Sequence, residues 1–116
     1  MYVVEAGNGA TLDFIRRYSA PGSRVVFDYL LRPVIEGKYQ GYWAADYIAF
    51  AVAQMGEPFV TGWMPAEAAA FVKEHGLAVV EDVGDKELVR RHLTGSDGKP
   101  DGRLLNWQRM MEAKVP

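Results

Sequence analysis

Asp28 and Tyr29 are the polar side chains best placed for chemistry in this sequence. They close the run Gly22-Ser23-Arg24-Val25-Val26-Phe27-Asp28-Tyr29-Leu30-Leu31, which is launched from a Pro21-Gly22 turn and stops at Arg32-Pro33. A short β-branched and aromatic run of this kind suits a strand covered on both faces. Ligands of open α/β sheets sit beyond the carboxyl ends of strands, so a carboxylate and a phenol there could hold one. The competing reading has Asp28 capping the next segment and Tyr29 filling the core.

A second candidate lies upstream. Val3-Val4-Glu5-Ala6-Gly7-Asn8-Gly9 has the acidic-x-Gly-x-Gly form of nucleotide and S-adenosylmethionine sites, where glycines let backbone amides approach the ligand at a helix N-terminus. That reading makes residues 2–6 a strand and Gly7-Asn8-Gly9 a turn. The third glycine of G-x-G-x-x-G is missing, since Leu12 stands in its place. In the rival reading a helix already begins near Glu5 and carries its glycines at a cost of up to about 1 kcal/mol each.

The remaining reactive groups do not assemble. His75 and His92 each end a helical pattern, where a cation is favoured by exposed carbonyls. Glu81 and Asp82 point to opposite faces of a strand, and Asp97 and Asp101 offer too few oxygens for calcium. There is no Gly-x-Ser-x-Gly elbow and no helical histidine pair with metal-ligand spacing. Cysteine is absent, which excludes disulfides, thiolate metal sites and cysteine nucleophiles. Trp43, Trp63, Tyr42 and Tyr47 are aromatic enough to line a pocket or to fill a core. No nucleophile, base and oxyanion site come together, so catalysis by this chain alone is not expected.

The composition agrees with an ordinary globular domain. The 116 residues include 49% hydrophobic and 24% charged, with 13 Lys and Arg against 15 Asp and Glu, a net charge of −2. That length has room for one domain, and the charge gives no reason to expect nucleic acid or an anionic membrane as partner. No run approaches the ~20 apolar residues of a membrane span, and no secretory signal opens the sequence. A cytoplasmic setting is the expectation.

The elements that must position these residues follow from periodicity and punctuation. Leu12, Ile15 and Tyr18 recur at helical spacing with Phe14 beside them, giving a helix that stops before Ser19-Ala20-Pro21-Gly22 and whose start lies either near Glu5 or after the glycines. The strand near 24–30 follows, and residues 34–41 read as a loop or short turn. Residues 42–55, alanine-rich and free of glycine and proline, predict a helix that must be buried against something. A short extended piece at 59–64 leads to Pro65, which opens a helix near 66–75 that Gly76 ends. A strand near 77–82 and a helix near 86–93 come next, then an exposed loop at 95–102. Residues 107–115 suit helix or strand by periodicity.

The order of these blocks resembles a known family. Ala20-Pro21-Gly22-Ser23-Arg24-Val25-Val26-Phe27-Asp28-Tyr29, then Gly56-Glu57-Pro58-Phe59 with Gly62, then Pro65-Ala66-Glu67 running to His75-Gly76-Leu77, then Val80-Glu81-Asp82-Val83-Gly84 with Glu87-Leu88 look like the carboxyl-terminal half of the leucine carboxyl methyltransferase family. These are S-adenosylmethionine-dependent O-methyltransferases with a Rossmann-like sheet, and the likeness is to their bacterial branch. It extends from Met1 to about Val115.

The resemblance implies an α/β fold, the back half of such a sheet, as a single partial domain over 1–116. Met1-Tyr2 matches the family's Met-Tyr after the fourth strand, so Gly7-Asn8-Gly9 falls in a helix and not in the cofactor loop. Strands near 24–30, 77–82 and 107–115 become the fifth, sixth and seventh, the seventh antiparallel between the other two, in a small mixed sheet. The cofactor loop, the acidic residue after the second strand and the glutamate before Met-Tyr would lie ahead of Met1. S-adenosylmethionine is thus the cofactor of full-length relatives, with none expected on this chain alone, which reads as a truncated product or one piece of a split enzyme. The resemblance sets Tyr2, Asp28 and Tyr29 near the methyl-transfer cleft, and Trp43, Tyr47, Glu57 and Trp63 are candidates for a substrate pocket.

An apolar strand with no fourth strand beside it is a template for pairing. The expected partner is a second copy, joined through the edge of strand 24–30. Two alternatives stand beside this: an enzyme with a rebuilt loop at Glu5-Ala6-Gly7-Asn8-Gly9, and a binding module whose aromatic surface around Trp43, Tyr47 and Trp63 docks a separately encoded cofactor-binding half.

Overall fold

The computed structural model describes residues 1–116. Its first element, α1 (Glu5–Tyr18), has Glu5 in its first turn and Arg16 and Arg17 in its last, which complements the helix dipole. The helix therefore starts at Glu5, and the alternative of a strand over residues 2–6 is not what the chain forms. Thr61 and Asn8 hold the approach instead: the Thr61 hydroxyl and the Asn8 amide both donate to the Val3 carbonyl, at 2.6 and 3.1 Å.

Strand β1 (Arg24–Leu30) leaves the turn at Gly22 and ends in α2 (Arg32–Ile35), a single turn with Pro33 at its start. The expected loop at 34–41 thus begins as helix, because proline is tolerated where the first-turn N–H has no intrahelical partner. Helix α3 (Ala45–Gln54) is shorter than the 42–55 expected. Ala44 adopts a left-handed conformation (φ 58°), which separates residues 42–44 from the helix, and the Asn106 side chain accepts from the Trp43 N–H at 3.0 Å.

Helix α4 (Pro65–Glu74) opens on Pro65, and the Glu67 carboxylate accepts the Met64 N–H at 2.7 Å. That bond, with Arg32 at its side, holds Glu67 below the usual carboxylate range. Gly76, at φ +74°, turns the chain into β2 (Ala78–Val83). Helix α5 (Asp85–His92) and β3 (Gln108–Lys114) complete the fold.

The strands form one sheet in the order β1-β3-β2, and β3 is antiparallel to both neighbours. Every ladder is therefore antiparallel, a correction to the mixed sheet expected; β1 and β2 run the same way only because β3 lies between them. Val25, Phe27 and Tyr29 project to the face covered by α1 and α4, where Leu12, Trp63, Val72, Met111 and Ala113 form the main core. A second cluster of Leu30, Val34, Ala45 and Trp107 lies at the α2–α3 end, with the Trp107 indole N–H donating to the Trp43 carbonyl at 2.9 Å.

The packing is open. Only 16 of 116 residues are buried, and the radius of gyration is 15.6 Å against about 13 Å for a compact domain of this length. Large apolar side chains stand in solvent on four elements: Phe14 and Tyr18 on α1, Val26 on β1, Tyr47 and Phe50 on α3, Val80 on β2.

Candidate functional site

The carboxyl end of β1 places Asp28 and Tyr29 on opposite faces, as strand alternation requires, and gives them different lives. Tyr29 is 1% exposed. Its hydroxyl donates to Asp82 at 2.7 Å, and the other Asp82 oxygen accepts from Arg109 Nε at 3.0 Å. One carboxylate thus ties a phenol on β1 to a guanidinium on β3 from its own position on β2. Burial, then the hydrogen bond and charge of Asp82, push the Tyr29 phenol well above its ordinary value. For Arg109 burial works against the charge, but the bonds and charges of Asp82 and Tyr29 outweigh it and raise the guanidinium further. This is a brace across three strands, in which the Tyr29 hydroxyl and both Asp82 carboxylate oxygens are engaged.

Asp28 is more open. It accepts the Gln108 amide at 2.6 Å and lines a groove between α1, β1 and α4 together with Asn8, Ile15, Phe27, Trp63 and Phe71. The groove is mostly apolar, and its volume of about 150 Å³ falls short of the ~300–1,000 Å³ that small-molecule sites occupy. Of the residues singled out in the sequence, Asp28 and Trp63 meet here. Trp63 is nearly buried, T-shaped against Tyr29 and stacked on Phe71, with its indole N–H donating to Glu5 at 3.2 Å.

The others lie elsewhere. Tyr2 stacks on Phe59 at 5.5 Å between ring centroids. Trp43 is half exposed under the Arg103 guanidinium, 4.2 Å from its ring. Tyr47 stands in solvent and Glu57 is exposed. Trp43 and Tyr47 thus belong to the α3 end of the molecule, while Trp63 faces the main core.

The glycine segment is the first turn of α1. Gly7 and Asn8 both donate their backbone N–H to Val4 inside the first turn of α1, so those amides are not aimed at a ligand. The glycines are needed for packing. A Cβ on Gly7 would come within 2.6 Å of Val3, and one on Gly9 within 2.7 Å of the His75 ring. The first turn of α1 therefore aims neither of these two amides away from the helix.

The residues that sequence reasoning missed are partners distant in the chain. His75 bonds Asp13 through Nδ1 at 2.7 Å and sits edge-on to Phe71. This places the histidine where α4 meets α1, while its other nitrogen faces Gly9. Arg109 joins Asp82 across 27 positions. Only the alternation of β3, had its register been known, would have pointed to that pair. No group of three or more His, Asp or Glu converges as a metal site, and no helix is long and apolar enough to cross a membrane.

No family model, no curated protein and no solved structure matches the chain.

Proposed function

We propose that this chain is the back half of a methyltransferase-type sheet, similar to the leucine carboxyl methyltransferases, and that it does not catalyse methyl transfer with its own residues. The observation that carries the reading is the strand order. The last strand, β3, lies antiparallel between β1 and β2, the arrangement that the resemblance assigns to the fifth, seventh and sixth strands of that family.

Three further features support it. Gly7 and Gly9 pack against neighbouring side chains, the groove is small, and the Tyr29 hydroxyl at the end of β1 is engaged in the brace with Asp82 and Arg109. On this reading the chain contributes one end of the sheet, and the cofactor chemistry is supplied by a separate half. The free edge of β1 and the exposed aromatic side chains favour a closely related second reading, a binding module completed by a separately encoded cofactor-binding half.

Titration calorimetry tests the proposal. The chain alone should give no heat with S-adenosylmethionine, and a chimera carrying a family cofactor-binding half ahead of Met1 should bind it. Binding by the chain alone, or a folded chimera that fails to bind, would contradict the reading.

A further inference from the structure

The backbone of β1 is satisfied on one side only. Its hydrogen-bonded pairs with β3 are fixed at both ends, where Leu31 N–H donates to Trp107 and Val115 N–H donates to Ser23. Pairing alternates along an antiparallel ladder, so Val25, Phe27 and Tyr29 turn their N–H and C=O toward β3. Arg24, Val26 and Asp28 turn theirs outward, and none of the three has a backbone partner beyond the sheet. Trp63 closes the edge past that point by donating to the Leu30 carbonyl at 3.0 Å. The open template is therefore residues 24–28, with three outward donors and three outward acceptors.

That segment reads Arg24-Val25-Val26-Phe27-Asp28 and is complementary to itself. When two copies meet antiparallel about a two-fold axis at Val26, Arg24 faces Asp28 of the other copy twice. Val26 meets its own counterpart, and Val25 faces Phe27 on the opposite side of the sheet. All three outward-facing residues then exchange hydrogen bonds with outward-facing residues. A two-residue slip in either direction sets Arg24 against an apolar residue and leaves Asp28 without its cation. Arg24 already leans on Glu112 and Asp28 on Gln108, so the new ion pairs would extend an existing polar row. Val26, 60% exposed, would be covered.

We propose that a second copy of this chain pairs with β1 through residues 24–28, in the register centred on Val26, to make a continuous six-stranded sheet. The test is solution mass by sedimentation equilibrium, followed by substitution. The wild-type chain should sediment at twice 12.9 kDa. Val26→Pro removes an outward N–H, which an edge strand tolerates, and should give a monomer with an unchanged circular dichroism spectrum. Arg24→Asp and Asp28→Arg, each alone, place like charges opposite one another and should weaken self-association about tenfold or more. An equimolar mixture of those two variants should restore a dimer of the mixed kind.

A wild-type monomer at all concentrations overturns the proposal, and so does a chain that stays monomeric until a cofactor-binding half is added. A dimer that survives Val26→Pro moves the joint elsewhere, and a mixture that fails to pair rejects the register. The charge variants keep the test open if the proline variant does not fold. Because these readouts are masses, they stand or fall independently of S-adenosylmethionine binding.

Discussion

The two edges of the sheet are built in opposite ways. Along β2 the ladder is interrupted between Val79 and Glu81, leaving Val80 as the odd residue. Glu81 there accepts from both terminal guanidinium nitrogens of Arg91, at 2.9 and 2.6 Å. A bulge and a charge are the devices by which sheets turn further strands away. Along β1 the register runs unbroken from Arg24 to Leu30, and the middle of the strand is valine and phenylalanine. One edge is closed to pairing and the other is available for it. The open edge is also the one at which the methyltransferase resemblance expects the rest of the sheet to join, so the proposed function and the proposed dimer meet at one strand.

The largest effect should come from cutting what binds the two edges together. Asp82→Ala leaves Arg109 partly buried without its carboxylate and the Tyr29 hydroxyl without an acceptor, at a cost of about 3 kcal/mol. Urea unfolding measures it, and a loss below about 1 kcal/mol would mean that the brace is incidental. Tyr29→Phe removes one bond and leaves the ion pair, so about 1 kcal/mol should be lost. The tyrosine carries a pH signature as well. Its folded value is raised above the ordinary phenol value of 10.0, so its contribution is complete below pH 10 and is lost at higher pH, where the unfolded chain ionises first. Of the six tyrosines, one should resist alkaline titration by ultraviolet absorbance, and Tyr29→Phe should abolish that signal.

Transferring to β1 the device that β2 owns sharpens the comparison further. Val26→Lys should change the stability of the fold by no more than about 0.5 kcal/mol and should abolish self-association, read by sedimentation. The smallest effect belongs to the guarded edge in acid. The Arg91 guanidinium lowers Glu81, and Arg90 and Arg91 bring Glu87 from 4.5 down to about 2. Both groups are depressed, so their stabilisation is present above pH 4.5 and fades as the pH falls toward 2. Both are exposed, which keeps the effect small. Glu87→Gln should flatten the thermal midpoint against pH across that window and leave neutral-pH stability nearly unchanged.

Elements with a local signal could be read from the residues. The spacing of Leu12, Ile15 and Tyr18 with the Pro21-Gly22 stop marks the body and end of α1 but leaves its start open, and the β-branched run marks β1 between its turns. Pro65 and Gly76 bounded α4 to within one residue. Periodicity left β3 undecided between helix and strand, and only the resemblance made it a central strand. Two local departures have local causes: Pro33 begins a helical turn where it was read as a break, and Ala44 takes a left-handed conformation that no glycine announces. The brace escaped because Tyr29 and Asp82 lie 53 positions apart, and nothing in either neighbourhood shows that their side chains meet. Tyr29 was singled out as a possible ligand group from its place at a strand end, and the same place lets it reach Asp82 across β3.

Amide hydrogen exchange at Arg24, Val26 and Asp28 tests the central claim most directly, that the outer side of β1 is a joint and not a surface. At concentrations where the chain self-associates, these three amides should be protected like their neighbours Val25 and Phe27, and dilution should release them while the neighbours stay slow. Fast exchange at all three under every condition, with the sheet intact, would contradict it.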